Sequence, residues 1–376
     1  MRPDRIWSFD DLDEEVVKKD LCGKCGGCVS FCSANRIGAL KMDKNGYPVY
    51  KDKALCLQCG LCYMVCPQTH PMKHEIDEAY NWKEPIGNFM DVFSARSTDI
   101  EIRKDATDGG VVTALLVNML DEGHIDGAIV SHGKSLLKRE VRVATTREEI
   151  IESAGSHFSE LPHLEEMGEG YSNFVPVVKS LHELGSGKLD KVAIVGTPCQ
   201  INALRKMQTL NVVPSDIVIF SIGLFCMQCF EMEHLMDKPF IREHGLKLED
   251  IARVNIKEDF MIKMKSGLTV HIPLEEIEAI ARPACLSCDF FSNDYADISV
   301  GGLGSMVGYT SVMVRTIKGK EMMADALSRG VIERKVRRHP EDDEIEKKRM
   351  ISLVKEYKEM KQSRGLRYRK KYRGEK

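Results

Sequence analysis

The sequence predicts an α/β protein of mixed character, with a small cysteine-built unit at its N-terminus and a larger sheet-and-helix unit behind it. Three observations predict this. Two four-cysteine runs lie before residue 70. From about residue 91, apolar strand-like runs alternate with helical segments, the pattern of a central, largely parallel sheet. Hydrophobic residues make up 43% of the 376 positions against 30% charged, a balance that suits a globular core.

The first run is Cys22, Cys25, Cys28 and Cys32; the second is Cys56, Cys59, Cys62 and Cys66, followed by Pro67. Both read C-x2-C-x2-C-x3-C, the spacing that wraps a cubane [4Fe–4S] cluster. In two-cluster ferredoxins the fourth cysteine of each run serves the other cluster. The expected sets are therefore Cys22, Cys25 and Cys28 with Cys66, and Cys56, Cys59 and Cys62 with Cys32. Gly23, Gly26, Gly27 and Gly60 let backbone N–H groups approach the cluster sulfides. Zinc sites share the C-x2-C element but use it as two separated pairs, so zinc fits these runs poorly. Ser33 stands where a proline often follows the fourth cysteine.

Around the runs, residues 9–19 predict a short capped helix. Asn45-Gly46, within residues 37–50, predicts a hairpin. Residues 68–90 carry Pro71, Pro85 and Gly87 and few apolar side chains, and read as a linker. The expected division is a two-cluster ferredoxin domain over 1–75, a linker over 76–90, a catalytic domain over 91–335, and a charged helix with a basic tail over 336–376.

In the larger unit, strands are expected at 92–96, 127–133, 191–196 and 216–225, the last two as near-continuous apolar runs buried on both faces. Helices are expected at 107–123, 174–185 and 199–208. Residues 254–273 read as short antiparallel strands, which would make the sheet mixed. Residues 296–304 and 310–316 add two strands. A charged helix follows over about 341–360, and the basic stretch from Arg364 to Arg373 reads as a disordered, solvated tail. Docking to an acidic partner and peripheral contact with anionic lipid are the other roles open to it.

Five cysteines remain: Cys199, Cys226, Cys229, Cys285 and Cys288. They follow strands, so their loops can converge at one sheet edge. Spacing leaves a third [4Fe–4S] cluster, a structural zinc and plain buried thiols all open. The stretch Thr107-Asp108-Gly109-Gly110-Val111 opens a helix; Asp108 or Thr107 can cap it, and its N–H groups favour phosphate. No G-x-G-x-x-G follows a strand, which argues against a dinucleotide fingerprint.

The net charge of −3 gives no drive toward nucleic acid, and no apolar run reaches the length of a membrane span. The acidic start lacks a signal-peptide core. Thirteen cysteines, an odd number with eight in cluster spacing, imply reduced thiolates in a cytoplasmic, anaerobic setting.

Five stretches together resemble the coenzyme F420 hydrogenase/dehydrogenase β-subunit family: 108–116, 195–206, 222–230, 282–305 and 308–316. The family includes the input subunit of F420H2 dehydrogenase and the β subunits of F420-reducing hydrogenase and F420-dependent formate dehydrogenase. The resemblance implies a third [4Fe–4S] cluster on Cys199, Cys226, Cys285 and Cys288, with Cys229 spare. It implies FAD, its phosphates at Asp108, Gly109, Gly110, Val111 and Thr113. Gly196, Thr197, Pro198, Gly301 and Gly302 would neighbour the ring or its chain. His157 stands where the family usually has Lys or Arg, and Tyr309 where relatives often have Trp.

What the resemblance implies functionally is a converter between hydride and single-electron chemistry. Coenzyme F420, the substrate, moves a hydride, whereas an iron–sulfur cluster takes one electron, so the flavin belongs between them. Electrons would pass through the three clusters to or from a catalytic partner: a formate dehydrogenase α subunit, a hydrogenase, a heterodisulfide reductase or an F420H2 dehydrogenase complex. No residue is nominated as a general acid or base. The alternatives are a ferredoxin-dependent reductase of another substrate, such as a tetrapyrrole, and a pure electron-wiring subunit without flavin.

Overall fold

The computed structural model describes residues 7–133, 139–155, 164, 189–230, 243–256, 259–278, 281–336 and 339–373. The first helix, α1 (Phe9–Leu12), is opened by a capping box in which Ser8 N–H donates to Asp11 Oδ2 at 2.7 Å. The chain then makes a π-helical turn over Asp13–Val17. Each cysteine run turns into a helix through a left-handed glycine: Gly26 (φ 80°) before α2 (Gly27–Ala34) and Gly60 (φ 76°) before α3 (Leu61–Met64). Glycine adopts such a φ without strain because it has no Cβ to clash with the backbone. Between the runs lies the expected hairpin, β1 (Leu40–Met42) paired antiparallel with β2 (Pro48–Tyr50). Its turn is closed by Asn45 and Tyr47 N–H, both donating to Asp43 Oδ1.

The stretch read as a linker contains α4 (Lys73–Ala79) and is packed rather than free. Ile76 and Ile86 are buried. The Trp82 indole donates to Asp294 Oδ2 at 2.9 Å.

The larger unit runs β3 (Asp91–Ser97), α5 (Ile100–Asp105), α6 (Val111–Asp121), β4 (Gly127–Gly133), β5 (Arg139–Ala144), α7 (Arg147–Glu152), β6 (Val192–Gly196), α8 (Pro198–Thr209) and β7 (Val218–Leu224). It continues through β8 (Ile251–Ile256), β9 (Phe260–Met264), β10 (Thr269–Ile272), α9 (Pro283–Leu286), β11 (Ile298–Gly301), β12 (Thr310–Val314), α10 (Ile317–Ser328), β13 (Ile332–Arg334) and α11 (Pro340–Arg373). Eight strands form one mixed sheet in the order β13-β3-β12-β11-β7-β6-β4-β5. Its centre, β11-β7-β6-β4, is parallel; β12, β3, β13 and β5 join antiparallel. The helix expected over 174–185 lies outside the described residues.

Two expectations are corrected. The strands of residues 254–273 do not make the main sheet mixed. They form a separate three-stranded antiparallel sheet, β10-β9-β8, with its own core of Phe230, Phe260, Ile262 and Ile272. The basic stretch from Arg364 to Arg373 is not a disordered tail but the last turns of the 34-residue helix α11. Its apolar residues Met350 and Val354 bury against Ile86, Val92, Leu303 and Met313.

The two faces of the main sheet bury different partners. On one, α6 sets Val111, Leu115, Leu116 and Met119 into a core with Phe93, Ala128, Phe220 and Val312. On the other, Ile201, Leu204 and Met207 of α8 pack with Ile129, Ile194 and Val218, and the same core takes in Cys25, Phe31, Val65 and Ile76. Each such aliphatic burial is worth about 1.5–3 kcal/mol. Helix α8 is thus shared by both units and fixes the cysteine loops against the sheet.

Candidate functional site

The N-terminal cysteines gather into two crossed sets. Cys22, Cys25, Cys28 and Cys66 line one cavity together with Leu12, Val16, Gly23, Gly26 and Pro67. Cys32, Cys56, Cys59 and Cys62 line another with Phe9, Phe31, Leu57 and Gly60. Burial pushes the Cys22 thiol up to about 11 and the Cys25 and Cys62 thiols up to about 12. Metal binding at such thiols must release protons. Of the thirteen cysteines, Cys59 alone is exposed, beside Leu57 at 71% exposure.

The remaining five cysteines converge where three loops meet. Cys199 lies in the first turn of α8, its thiol 3.2 Å from Thr197 Oγ1. Cys226 and Cys229 follow β7, and Cys285 and Cys288 belong to α9 and the turn after it. Cys229 N–H donates to Cys285 Sγ at 3.3 Å, and Phe290 N–H to Cys288 Sγ at 3.4 Å. Thiol hydrogen bonds from Cys229 hold Cys226 and Cys285 below the ordinary thiol value, and push Cys229 itself up. Cys229, expected to be spare, therefore sits inside the group and touches two of its members.

This group abuts the first N-terminal set. A Cβ placed on Gly23 would lie 3.6 Å from Cys199 Sγ. The Arg282 guanidinium, just before α9, donates to Cys22 O at 2.9 Å. Lys206 of α8, 2% exposed, donates to Cys66 O at 2.5 Å and Thr69 O at 2.8 Å. Burial pulls the Lys206 ammonium down to about 8.

Helix α11 closes the converging group from behind. Lys361 Nζ donates to Cys226 O at 2.6 Å. The Arg364 guanidinium donates to Gln228 Oε1 at 2.5 Å, Met227 O at 3.0 Å and Cys285 O at 3.3 Å, and Arg369 donates to Ser287 O. Gly365 permits this approach: a Cβ there would stand 3.1 Å from the carbonyls of Ser287 and Cys288. Burial pulls the Lys361 ammonium down, but Cys288, Cys226 and Cys285 outweigh it and hold it above the ordinary lysine value.

The glycine loop sits at the same edge of the sheet. Gly110, φ 75°, is the N-cap of α6, so the cap position falls on a glycine two residues beyond Asp108 rather than on Asp108 or Thr107. Gly109 N–H donates to Thr310 Oγ1 at 2.9 Å, and a Cβ at Gly109 would stand 2.6 Å from Ala95 O. A Cβ on Gly302 would meet Asp108 Oδ2 at 2.7 Å, and one on Gly301 would meet the Phe225 ring at 2.5 Å. Asp108, Gly109, Gly110, Gly301 and Gly302 are therefore brought together, with Val111 and Thr113 buried in the first turn of α6. Gly196 ends β6, and Thr197 and Pro198 lead into α8, at the carboxyl edge of the parallel strands, where open α/β sheets bind ligands. His157 lies outside the described residues. Tyr309 carries the Arg96 guanidinium 4.9 Å above its ring.

One residue at this edge was not singled out from the sequence. Asn293, φ 59°, donates from Nδ2 to Gly196 O at 2.9 Å and Leu224 O at 3.2 Å, tying the ends of β6 and β7 together. The only local hint was an Asn-Asp pair, and asparagine tolerates the left-handed region.

Comparison with known proteins gives a consistent assignment. Residues 92–167 match the family model "Coenzyme F420 hydrogenase/dehydrogenase, beta subunit N-term", and residues 189–338 match the corresponding C-terminus model. Coenzyme F420 hydrogenase subunit beta of Methanosarcina barkeri is 34% identical over 66% of this chain and 83% of its own length. A subunit of the F(420)H(2) dehydrogenase of Methanosarcina mazei is 28% identical over 82% of both chains. Coenzyme F420-dependent sulfite reductase of Methanocaldococcus jannaschii is 30% identical over 93% of this chain, which spans 52% of that protein's length. A chain of the F420-reducing [NiFe] hydrogenase complex from Methanosarcina barkeri superposes with a TM-score of 0.65 at 30% identity, covering 77% of this chain and 94% of that one.

Proposed function

Since the chain belongs to the coenzyme F420 hydrogenase/dehydrogenase β-subunit family, we propose that it is an iron–sulfur flavoprotein subunit that exchanges a hydride with coenzyme F420 and single electrons with a partner enzyme. The observation that carries this is spatial order. The glycine edge, the Cys199 group, the Cys22 set and the Cys56 set lie one against the next, linked by Gly301 on Phe225 and by Gly23 on Cys199. The sequence is divided accordingly: a two-cluster unit over 1–75, a connector, and a flavin unit over 91–335.

The donor sets fit the groups they would hold. Four cysteines at each N-terminal cavity suit a cubane, and so do Cys199, Cys226, Cys285 and Cys288. Asp108, Gly109, Gly110 and Val111 suit an FAD phosphate chain, because α6 starts on a glycine N-cap and a helix start presents N–H groups to an anion. A bound flavin supplies both two-electron and one-electron exchange. The chain's own task is position: Gly109 lets its loop seat against the backbone of Ala95 and Thr310, Gly302 lets the Asp108 carboxylate approach, and Asn293 fixes the strand ends from which the cysteine loops spring. Lys206 and Arg282 stitch the two units so that Cys199 stays against the loop of Gly23. Exposed Cys59, flanked by Leu57, is the point at which electrons leave for the partner. No described helix is long and apolar enough to cross a membrane.

Flavin, iron and zinc are counted in anaerobically purified protein, and loss of F420 absorbance is followed with an artificial acceptor. One FAD, about twelve iron atoms and bleaching of F420 are expected. Absence of flavin would identify a pure wiring subunit, zinc in place of four irons would overturn the third cluster, and flavin without F420 bleaching would point to another substrate.

A further inference from the structure

We propose that Lys361 sets the reduction potential of the centre held by Cys199, Cys226, Cys285 and Cys288, and that α11 is the strap that delivers its charge there; this rests on the reading that these cysteines hold a cubane. Three observations carry it. Lys361 is 1% exposed, although most of α11 is charged and faces solvent. Its ammonium touches the Cys226 carbonyl at 2.6 Å and has Cys226, Cys285 and Cys288 around it. Among the described residues, no carboxylate pairs with it, whereas buried Lys358 and Arg205 are each matched by an aspartate, Asp294 and Asp297.

A side chain needed only to bolt the loops would not have to be a lysine. Arg364 already joins both loops through Met227 O and Cys285 O. What Lys361 adds is an uncompensated positive charge. Reduction adds one electron to a cubane bound by four thiolates and so adds one negative charge. A fixed cation in a dry site stabilises the reduced form more than the oxidised form, which raises the potential. The Cys56 set shows the contrast: its neighbour Lys53 is exposed and paired with Asp10.

The test is an anaerobic redox titration followed by electron paramagnetic resonance, with dithionite as the electron donor, on wild type, K361M, K361Q and K361R, alongside iron content. The expected result is full iron in all four. In K361M and K361Q the midpoint of this centre falls, by about tenfold in the equilibrium constant for reduction or about 59 mV for a one-electron couple. In K361R it stays near wild type, and the other two centres do not move. Unchanged midpoints in iron-replete K361M or K361Q would overturn the proposal. Should K361M fail to hold iron, K361Q against K361R makes the same comparison. Loss of four irons from both neutral variants with retention in K361R would show a purely structural strap, also overturning it. A wild-type sample with eight irons would instead refute the underlying cluster reading.

Discussion

The junction of β6 and β7 with Asn293 gives a prediction whose size follows from distances. A Cβ on Gly223 would stand 2.3 Å from Asn293 Cγ and 2.6 Å from its Cβ and Nδ2. Overpacking of this kind costs about 1–3 kcal/mol. Displacing Asn293 also strips its amide from Gly196 O and Leu224 O, and each buried acceptor left unmade costs about 1–3 kcal/mol. G223A is therefore expected to cost about 3 kcal/mol or more. N293G loses the same two bonds while its left-handed backbone at φ 59° stays unstrained, for a total of about 2–6 kcal/mol. In the double variant the new methyl meets no side chain, because glycine at 293 has no Cβ, so it should cost little more than N293G alone. The two substitutions are thus coupled by about 3 kcal/mol in the favourable sense, nearly the whole cost of G223A. Urea midpoints of the four anaerobic proteins, followed by far-ultraviolet circular dichroism, close the cycle. Simple additivity of the two costs would refute the argument, because it would mean that Gly223 and Asn293 do not compete for one volume.

Three further outcomes are expected. C32S should remove the paramagnetic signal of the exposed centre near Cys59 and spare the one near Gly23, although Cys32 belongs to the first run; the opposite loss would refute the crossed sets. G302A places a methyl 2.7 Å from Asp108 Oδ2 and should lower FAD content severalfold while iron content stays unchanged, measured by absorbance of extracted flavin and by iron assay. L57E charges the apolar surface beside Cys59 and should slow electron delivery to a protein partner at least tenfold, with F420 bleaching by a small dye unaffected; equal loss of both rates would show that Leu57 supports the centre rather than the contact.

How much could be read from the chain depended on whether the signal was local. Cysteine spacing and the glycines at 26 and 60 act within one turn, so the gathering of these cysteines about two cavities and the helix starts were legible. Apolar runs such as those of β6 and β7 were legible because both faces are buried. The hairpin strands of 254–273 were recognised as antiparallel, but nothing in their sequence says which sheet they join; that is decided by the core around Phe230 and Phe260. The largest misreading was the basic C-terminus. Runs of Lys and Arg normally mark solvent, and only tertiary partners more than a hundred residues away reveal that Lys361 and Arg364 are buried. Asn293 escaped notice because its role lies in a left-handed backbone and two distant carbonyls.

The reach of α11 also bears on the order in which the molecule can be completed during translation. The first 70 residues contain every cysteine of the two N-terminal sets, and domains generally fold as they emerge. The inner site is different, because its back wall is contributed by residues 361–369. Until that stretch has left the ribosome, the loops carrying Cys226 and Cys285 are open on one side. A metal group held there would consequently be the last to be enclosed, after any held by the two N-terminal sets.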